Sequence, residues 1–244
     1  MYIMLILIVF FEEEIIIKNR CSLKLFKKQL EESETIALIS HENPDVDALS
    51  SLVALKNLIK DNYKNKKIDI FAQTKDINEL LKPILKEDEL NVQNINSYDL
   101  AIGLDCPNST RFGEYKKLFN NAKDTAQIDH HITNNIFAKN NLVYVTSSTT
   151  EIIYIIAKLM KFEISNKVCK LVYSGIITDT SNFMQGTKKK TTLKVLSDFY
   201  DRNVELDELT DYFFKNNSIS KNKLLEKALH SMRFYHDGGL VLMK

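Results

Sequence analysis

Four separate stretches of the chain place histidines and aspartates where apolar runs end. The first is His41-Glu42-Asn43-Pro44-Asp45-Val46-Asp47, which follows the apolar run Ile36–Ser40 and precedes a helical pattern. An imidazole and two carboxylates in such a loop can ligate a cation, because loops at the carboxyl ends of parallel strands are where α/β folds hold ligands. In isolation the same string reads equally as a turn and a helix cap, with Asp47 as the capping residue. The second stretch supplies Asp105 after Ala101-Ile102-Gly103-Leu104, and the third supplies Asp129-His130-His131 after Thr125-Ala126-Gln127-Ile128. One acid at one strand end is commonly a turn residue. Acids delivered to one edge by three successive strands would repel one another, and bound cations relieve that repulsion. The fourth is Asp179 in Gly175-Ile176-Ile177-Thr178-Asp179-Thr180-Ser181-Asn182-Phe183, after the apolar segment Val168–Ile177. Either it ends that helix or it joins the other three, since an acid emerging from a buried element needs a partner.

The elements that must position these residues follow from the apolar pattern. From Thr35 onward, short apolar runs alternate with amphipathic stretches, the pattern of β-α units around a parallel sheet. The expected strands are Ile36–Ser40, Ile68–Ala72, Leu100–Leu104, Thr125–Ile128 and Leu142–Val145; between the first two, Ala48, Leu52, Leu55 and Ile59 recur at helical spacing. After Thr149 the pattern turns helical, at Glu151–Lys161, Lys167–Ile177, Thr192–Tyr200 and Leu206–Phe214. The polar segment Asn216–Asn222 reads as a linker. A last unit is expected beyond it, with a helix over Lys223–Phe234, a turn at Asp237-Gly238-Gly239 and a strand over Leu240–Met243.

Composition narrows the function classes. Hydrophobic residues make up 44% of the 244 and charged residues 27%, enough for a core and a solvated surface. The formal net charge of +1 gives no bulk attraction for nucleic acid or membrane, so a polyanionic substrate would have to be recognised locally. Cys21, Cys106 and Cys169 form no CxxC pair and cannot all pair with one another, which points away from a disulfide framework and towards the cytoplasm. The apolar run Met1–Phe11 is too short to span a bilayer, for which roughly 18 residues are needed, and it lacks the basic start and small-residue cleavage site of a signal peptide. Residues 1–20 are set apart as an apolar N-terminal extension, and no membrane partner is expected.

In order, the HxNPDxD string, the Asp after a strand with Arg111 a few residues on, the DHH triplet and the GIxTDTxxF string resemble the motifs of the DHH phosphoesterases. The likeness covers roughly residues 30–244. Within that family it is nearest to the oligoribonuclease and 3′-phosphoadenosine-5′-phosphate phosphatase type, through His41–Ser51 and Asp129–Asn134; Ser50 departs from that type, where a glycine is usual. The resemblance implies a DHH catalytic domain over residues 21–215 with a helical appendage, a linker over 216–222, and the start of a second, incomplete α/β substrate-binding lobe over 223–244. It implies that His41, Asp45 and Asp105 hold one divalent cation while Asp47, Asp105, His130 and Asp179 hold another, with Asp105 between them. Mn²⁺ is the expected ion and Mg²⁺ the substitute, both suited to hard oxygen and imidazole ligands.

His131 is then the catalytic residue expected to touch the scissile phosphate or protonate a leaving oxygen, with Asp129 orienting a histidine. Arg111 is expected to pair either with substrate phosphate or with a neighbouring acid, and Asn134 joins Arg111 and His131 in substrate binding. The expected substrate is short RNA or a small nucleotide; a homodimer is left open. Two rivals stand beside this reading: an inorganic pyrophosphatase or exopolyphosphatase, whose motifs use nearly the same ligands, and a metal-binding module with little turnover because its lobe is incomplete. Lys188–Lys190 reads as a solvated run, and His230 and His236 read as surface or packing residues.

Overall fold

The computed structural model describes residues 23–73, 97–185, 190–215 and 218–243. The expected N-terminal extension, Cys21, Lys188 and Lys189 lie outside the described residues. Five strands form one parallel sheet: β1 (Thr35–Ile39), β2 (Lys67–Phe71), β3 (Leu100–Leu104), β4 (Asp124–Asp129) and β5 (Asn140–Val143), in the order β2-β1-β3-β4-β5. The chain moves outward to β2 after β1 and then crosses back to β3 on the other side of β1. The sheet therefore reverses direction between β1 and β3, and a crevice opens there at the carboxyl ends of the strands, the place where open α/β sheets bind ligands. In register, Ile39 pairs with Gly103 and Leu104 with Ile128, so the residues following β1, β3 and β4 emerge side by side.

Most strand residues are apolar because both faces are covered, as parallel sheets require, β1 and β3 most completely. On one face Ala37, Ile39, Phe71 and Ala101 join Phe112 and Phe119 in a single cluster. Ile36 and Leu38, of opposite parity, are equally buried on the other. Helix α1 (Leu23–Glu32) precedes the sheet, and α2 (Val46–Asn62) links β1 to β2. Helix α2 buries residues on every side, including Asp47, Ser50 and Ser51. It is the central helix, touching α4 (Thr149–Leu159) and α5 (Asn166–Asp179) as well as the sheet. Between β3 and β4 runs a 3₁₀ segment, Ser109–Tyr115, followed by the short α3 (Lys116–Asn121). Helix α6 (Lys190–Asp201) is tied to α4 through Asp198, which accepts from the Tyr154 hydroxyl and from Lys158 Nζ.

Several boundaries differ from the sequence reading. Strand β5 starts two residues earlier than the apolar run Leu142–Val145, because Asn140 and Asn141 are buried inside it. They are tolerated there because each is hydrogen-bonded: Asn140 donates to Gln29 Oε1, 111 residues away, and Asn141 pairs with the backbone of Ala138. Helix α1 was not anticipated, although Phe26, Gln29 and Leu30 lie on one buried stripe. The helix expected over Lys223–Phe234 instead spans α8 (Ile219–Ser231), taking in most of the segment read as a linker, because Ser218 caps it by accepting from Lys221 N.

Contacts within the chain divide it after Leu206. The second unit holds α7 (Asp207–Lys215), α8 and an antiparallel hairpin of β6 (Arg233–Tyr235) and β7 (Leu240–Leu242), turned at His236-Asp237-Gly238-Gly239. Gly238 takes φ +89° in that turn, a conformation open to glycine. Among the described residues no helix is long and apolar enough to cross a membrane.

Candidate metal centre

The loop after β1 carries His41, Asp45 and Asp47 to the crevice. Asp45 is the N-cap of α2, accepting from Ala48 N at 3.0 Å, which corrects the reading of Asp47 as the cap. Asp47 lies one turn position further in and points into the core. Two residues apart at a helix start, the acids thus face opposite ways, one exposed and one buried.

Asp47 is held by the opening turn of α4. Its Oδ2 accepts from Thr149 N at 2.7 Å, and its Oδ1 accepts from Thr150 N at 3.2 Å and from the Thr150 hydroxyl at 2.8 Å. A carboxylate at a helix N-terminus meets both unpaired N–H groups and the positive end of the helix dipole. Burial and the charge of Asp105 nevertheless push its pKa well above the carboxylate range. Helix α5 closes the space below it. A methyl group at Gly175 would overlap both Asp47 Oδ1 and Thr150 Oγ1, so only glycine fits there.

Asp105, at the end of β3, adopts φ +52°, an unusual backbone conformation for a residue with a side chain and one that concentrates at functional sites. Its Oδ2 lies 3.8 Å from His41 Nε2; its Oδ1 lies 3.5 Å from His130 Nε2 and 2.8 Å from the donating Thr149 hydroxyl. Burial alone would raise its pKa, but the nearby imidazoles of His41, His130 and His131 and the hydrogen bond from the Thr149 hydroxyl together hold it below the usual carboxylate range. Ligand atoms of His41, Asp45 and Asp105 all lie within 4.8 Å of one another, and so do those of Asp105, His130 and His131. Asp105 belongs to both groups. Asp179, the last residue of α5, reaches the rim with Oδ2 at 3.7 Å from His130 Nε2.

Each of the three histidines has its Nδ1 beside an oxygen: Glu42 O for His41 at 2.8 Å, Thr146 O for His130 at 3.2 Å and Asp129 Oδ1 for His131 at 2.7 Å. With Nδ1 carrying the proton in each bond, Nε2 is left as the free electron pair, the arrangement that metal-ligating histidines share. Burial opposes protonation of His41 and His130, yet the surrounding carboxylates outweigh it and raise both; at His131 the hydrogen bond its Nδ1 donates to Asp129 is the leading cause of the rise. An unbalanced acid cluster of this kind is relieved by cations, and oxygen with imidazole nitrogen is a donor set suited to Mn²⁺ or Mg²⁺. The residues present therefore fit divalent cations.

Asn134 is placed differently from the sequence expectation. Rather than facing a substrate, its Oδ1 accepts from Gln127 Nε2 and Ile136 N, and its Nδ2 donates to Asp129 Oδ2 at 2.6 Å. It holds Asp129, which in turn holds His131. Arg111 is exposed, with Nη2 3.5 Å from His41 Nδ1. Since that nitrogen already donates to Glu42 O, the approach is packing rather than a hydrogen bond. Cys106 donates its thiol to Asn108 O, and burial pushes its pKa up to about 12, so it is no nucleophile. Cys106 and Cys169 are both free. His230 and His236 are exposed and belong to the second unit.

The loop after Asp179 keeps three consecutive side-chain-bearing residues, Ser181, Asn182 and Phe183, at positive φ. Such residues cost roughly 1–2 kcal/mol each. Bonds from Asn182 N to Ile177 O and from Gln185 N to Thr180 O hold the turn. Sequence reasoning missed Thr146, Thr149, Thr150 and Gly175 as parts of the site. One local signal was present in Ser148-x-x-Glu151, a capping-box string that fixes where α4 begins.

The model of the DHH family, N-terminal domain, matches residues 35–176, which run from the first residue of β1 into α5. The chain belongs to the DHH family. An uncharacterised protein of Mycoplasma genitalium is 28% identical over 222 residues, covering 85% of this chain and 66% of its own length. A probable bifunctional oligoribonuclease and PAP phosphatase of Streptococcus mutans is 27% identical over 206 residues, covering 78% of this DHH chain and 64% of that protein. In structure, an exopolyphosphatase-related protein from Bacteroides fragilis superimposes with a TM-score of 0.75 at 20% identity, over 87% of this chain and 66% of that one. This likeness establishes that the fold is shared. The chain thus spans about two thirds of the length of the relatives it matches.

Proposed function

We propose that the chain is a phosphoesterase that uses two divalent cations, Mn²⁺ foremost, to hydrolyse the phosphoester bonds of short oligoribonucleotides or of 3′-phosphoadenosine-5′-phosphate. The observation that carries this reading is the position of Asp105, whose two oxygens face different histidines and which belongs to both groups of donor atoms. His41, Asp45 and Asp105 would hold one ion, and Asp47, Asp105, His130 and Asp179 the other. When bound, such a pair lowers the pKa of water and neutralises charge on a phosphoryl group.

The chain's own residues supply the rest. Asp129, fixed by Asn134, orients the His131 ring and favours its doubly protonated form, in which Nε2 carries the proton that meets a phosphate oxygen or passes to a leaving oxygen. Arg111 stands exposed beside His41 and offers a guanidinium to a substrate phosphate. Nucleotide substrates are favoured by the name of the Streptococcus relative.

The test is a side-by-side hydrolysis assay with Mn²⁺ on 3′-phosphoadenosine-5′-phosphate, a dinucleotide RNA and pyrophosphate. Release of phosphate or mononucleotide from the first two, lost in the Asp105→Asn variant, is the expected result. Preferential cleavage of pyrophosphate would replace this reading with the pyrophosphatase one. No turnover of any of the three would leave a metal-binding module.

A further inference from the structure

We propose that Thr149 is a positioning residue of the metal centre, tying the buried carboxylates of Asp105 and Asp47 to one point at the start of α4. The inference rests on the two-cation reading above. Thr149 has no exposed surface, so it cannot touch a substrate. Its hydroxyl donates to Asp105 Oδ1 at 2.8 Å, and its backbone N–H donates to Asp47 Oδ2 at 2.7 Å. One residue therefore bonds two acids that come from different elements, β3 and α2, and that would otherwise repel each other at close range.

The hydroxyl bond does more than satisfy an oxygen. A carboxylate placed between two groups of ligands must offer one oxygen to each, and rotation about its last bond exchanges or misaims them. Asp105 keeps Oδ1 on the side of His130 and Oδ2 on the side of His41. The imidazoles cannot fix that rotation once their Nε2 atoms turn to cations. Thr149 remains as a fixed, uncharged donor on Oδ1.

The anchor is itself rigid. Ser148 caps α4 by accepting from Glu151 N, and Glu151 Oε2 accepts from Ser147 N and from the Thr192 hydroxyl of α6, all within buried surroundings. In the same segment the carbonyl of Thr146 takes the Nδ1 proton of His130. The stretch from Thr146 to Thr150 thus touches Asp47, Asp105 and His130, three of the six residues assigned to the cations.

The test uses Thr149→Val, which keeps the shape and the backbone N–H while removing the hydroxyl, and Thr149→Ser, which restores it. The metal-free wild-type chain and both variants are titrated calorimetrically with Mn²⁺, and their melting temperatures are measured without metal. The expected result is a 10–100-fold weaker Mn²⁺ affinity for Thr149→Val, the size of loss typical when a ligand's supporting hydrogen bond is removed. Its metal-free melting temperature should stay within about 4 °C of wild type. Thr149→Ser should bind within about threefold of wild type, since it keeps the donor that supports the ligand. Wild-type affinity in Thr149→Val would overturn the proposal, as would equal losses in both variants or a loss matched by collapse of the metal-free fold. Failure of wild type to take up Mn²⁺ would overturn the metal reading itself and is distinguishable from all of these.

Discussion

Asp47 and Asp105 are buried and each accepts hydrogen bonds from the first turn of α4, whereas Asp45 and Asp179 stand exposed at the rim of the same centre. The deep acids have their orientation fixed by groups that cannot titrate or swing away. The rim acids have fewer constraints: Asp45 caps its own helix, accepting from Ala48 N, and Asp179 lies 3.7 Å from His130. This division separates holding from access. On the proposed reading the buried half would set where cations sit, and the open half, with His131 and Arg111 beside it, would be where a phosphate approaches.

The largest effect should come from the residue that belongs to both groups. Asp105→Asn is expected to abolish Mn²⁺-dependent hydrolysis while the metal-free protein still folds and melts only modestly below the wild-type temperature, because the carboxylate, which despite its burial is held below its usual range by His41, His130, His131 and Thr149, contributes some stability that asparagine forfeits. Retained turnover, or a steep fall in metal-free stability, would erase the distinction between a cation site and a structural acid cluster.

On the open side, His131→Ala should lower the rate by about 10²–10⁴-fold with two ions still bound, as expected for loss of a proton donor rather than a ligand. His130→Ala should lose an ion. Metal analysis by mass spectrometry after dialysis decides between them, and the reverse pattern would exchange their roles.

Two glycines sharpen the same contrast. Gly175→Ala pushes a methyl group against Asp47 and Thr150, and should cost roughly 1–3 kcal/mol of stability together with Mn²⁺ affinity. Gly103→Ala places its methyl 2.6 Å from the Phe112 ring, in the aromatic cluster under the sheet, and should cost similar stability while the affinity per folded molecule is unchanged. Chemical denaturation paired with Mn²⁺ titration reads both.

The smallest effect lies away from the centre. Asp99 is held well below the usual carboxylate range, first by Lys123 and then by the backbone and hydroxyl of Thr35 and the N–H of Glu34. Because its folded value is depressed, its contribution is present above the unfolded value of about 3.9 and disappears as the pH falls through the folded value. Asp99→Asn should therefore shrink the difference in melting temperature between pH 7 and pH 3 without altering Mn²⁺ binding.

The strands and the acids at their ends were legible in the sequence because a parallel sheet buried on both faces leaves predominantly apolar runs, clearest in β1 and β3, and the acids at their ends stand out. The direction of each side chain was not. Asp45 and Asp47 are chemically identical at a spacing of two, and only the placement of α4 beneath Asp47 decides which is buried. Asn134 follows the triplet at the expected position, but its commitment to Gln127 and Asp129 depends on the turn between them. Threonines at 149 and 150 look like any helix start until the strands that carry their acceptors are packed around them. Helix α8 was cut short in the reading because Asn216–Asn222 is polar, yet a serine at position 218 is a cap as well as a linker residue.

Calorimetric titration of Mn²⁺ into the metal-free chain, alongside Asp105→Asn, tests the central claim most directly. The account predicts two ions per wild-type chain and loss of high-affinity binding at both sites in the variant. Wild type that binds no Mn²⁺, or a variant that still binds two ions as tightly as wild type, would contradict it.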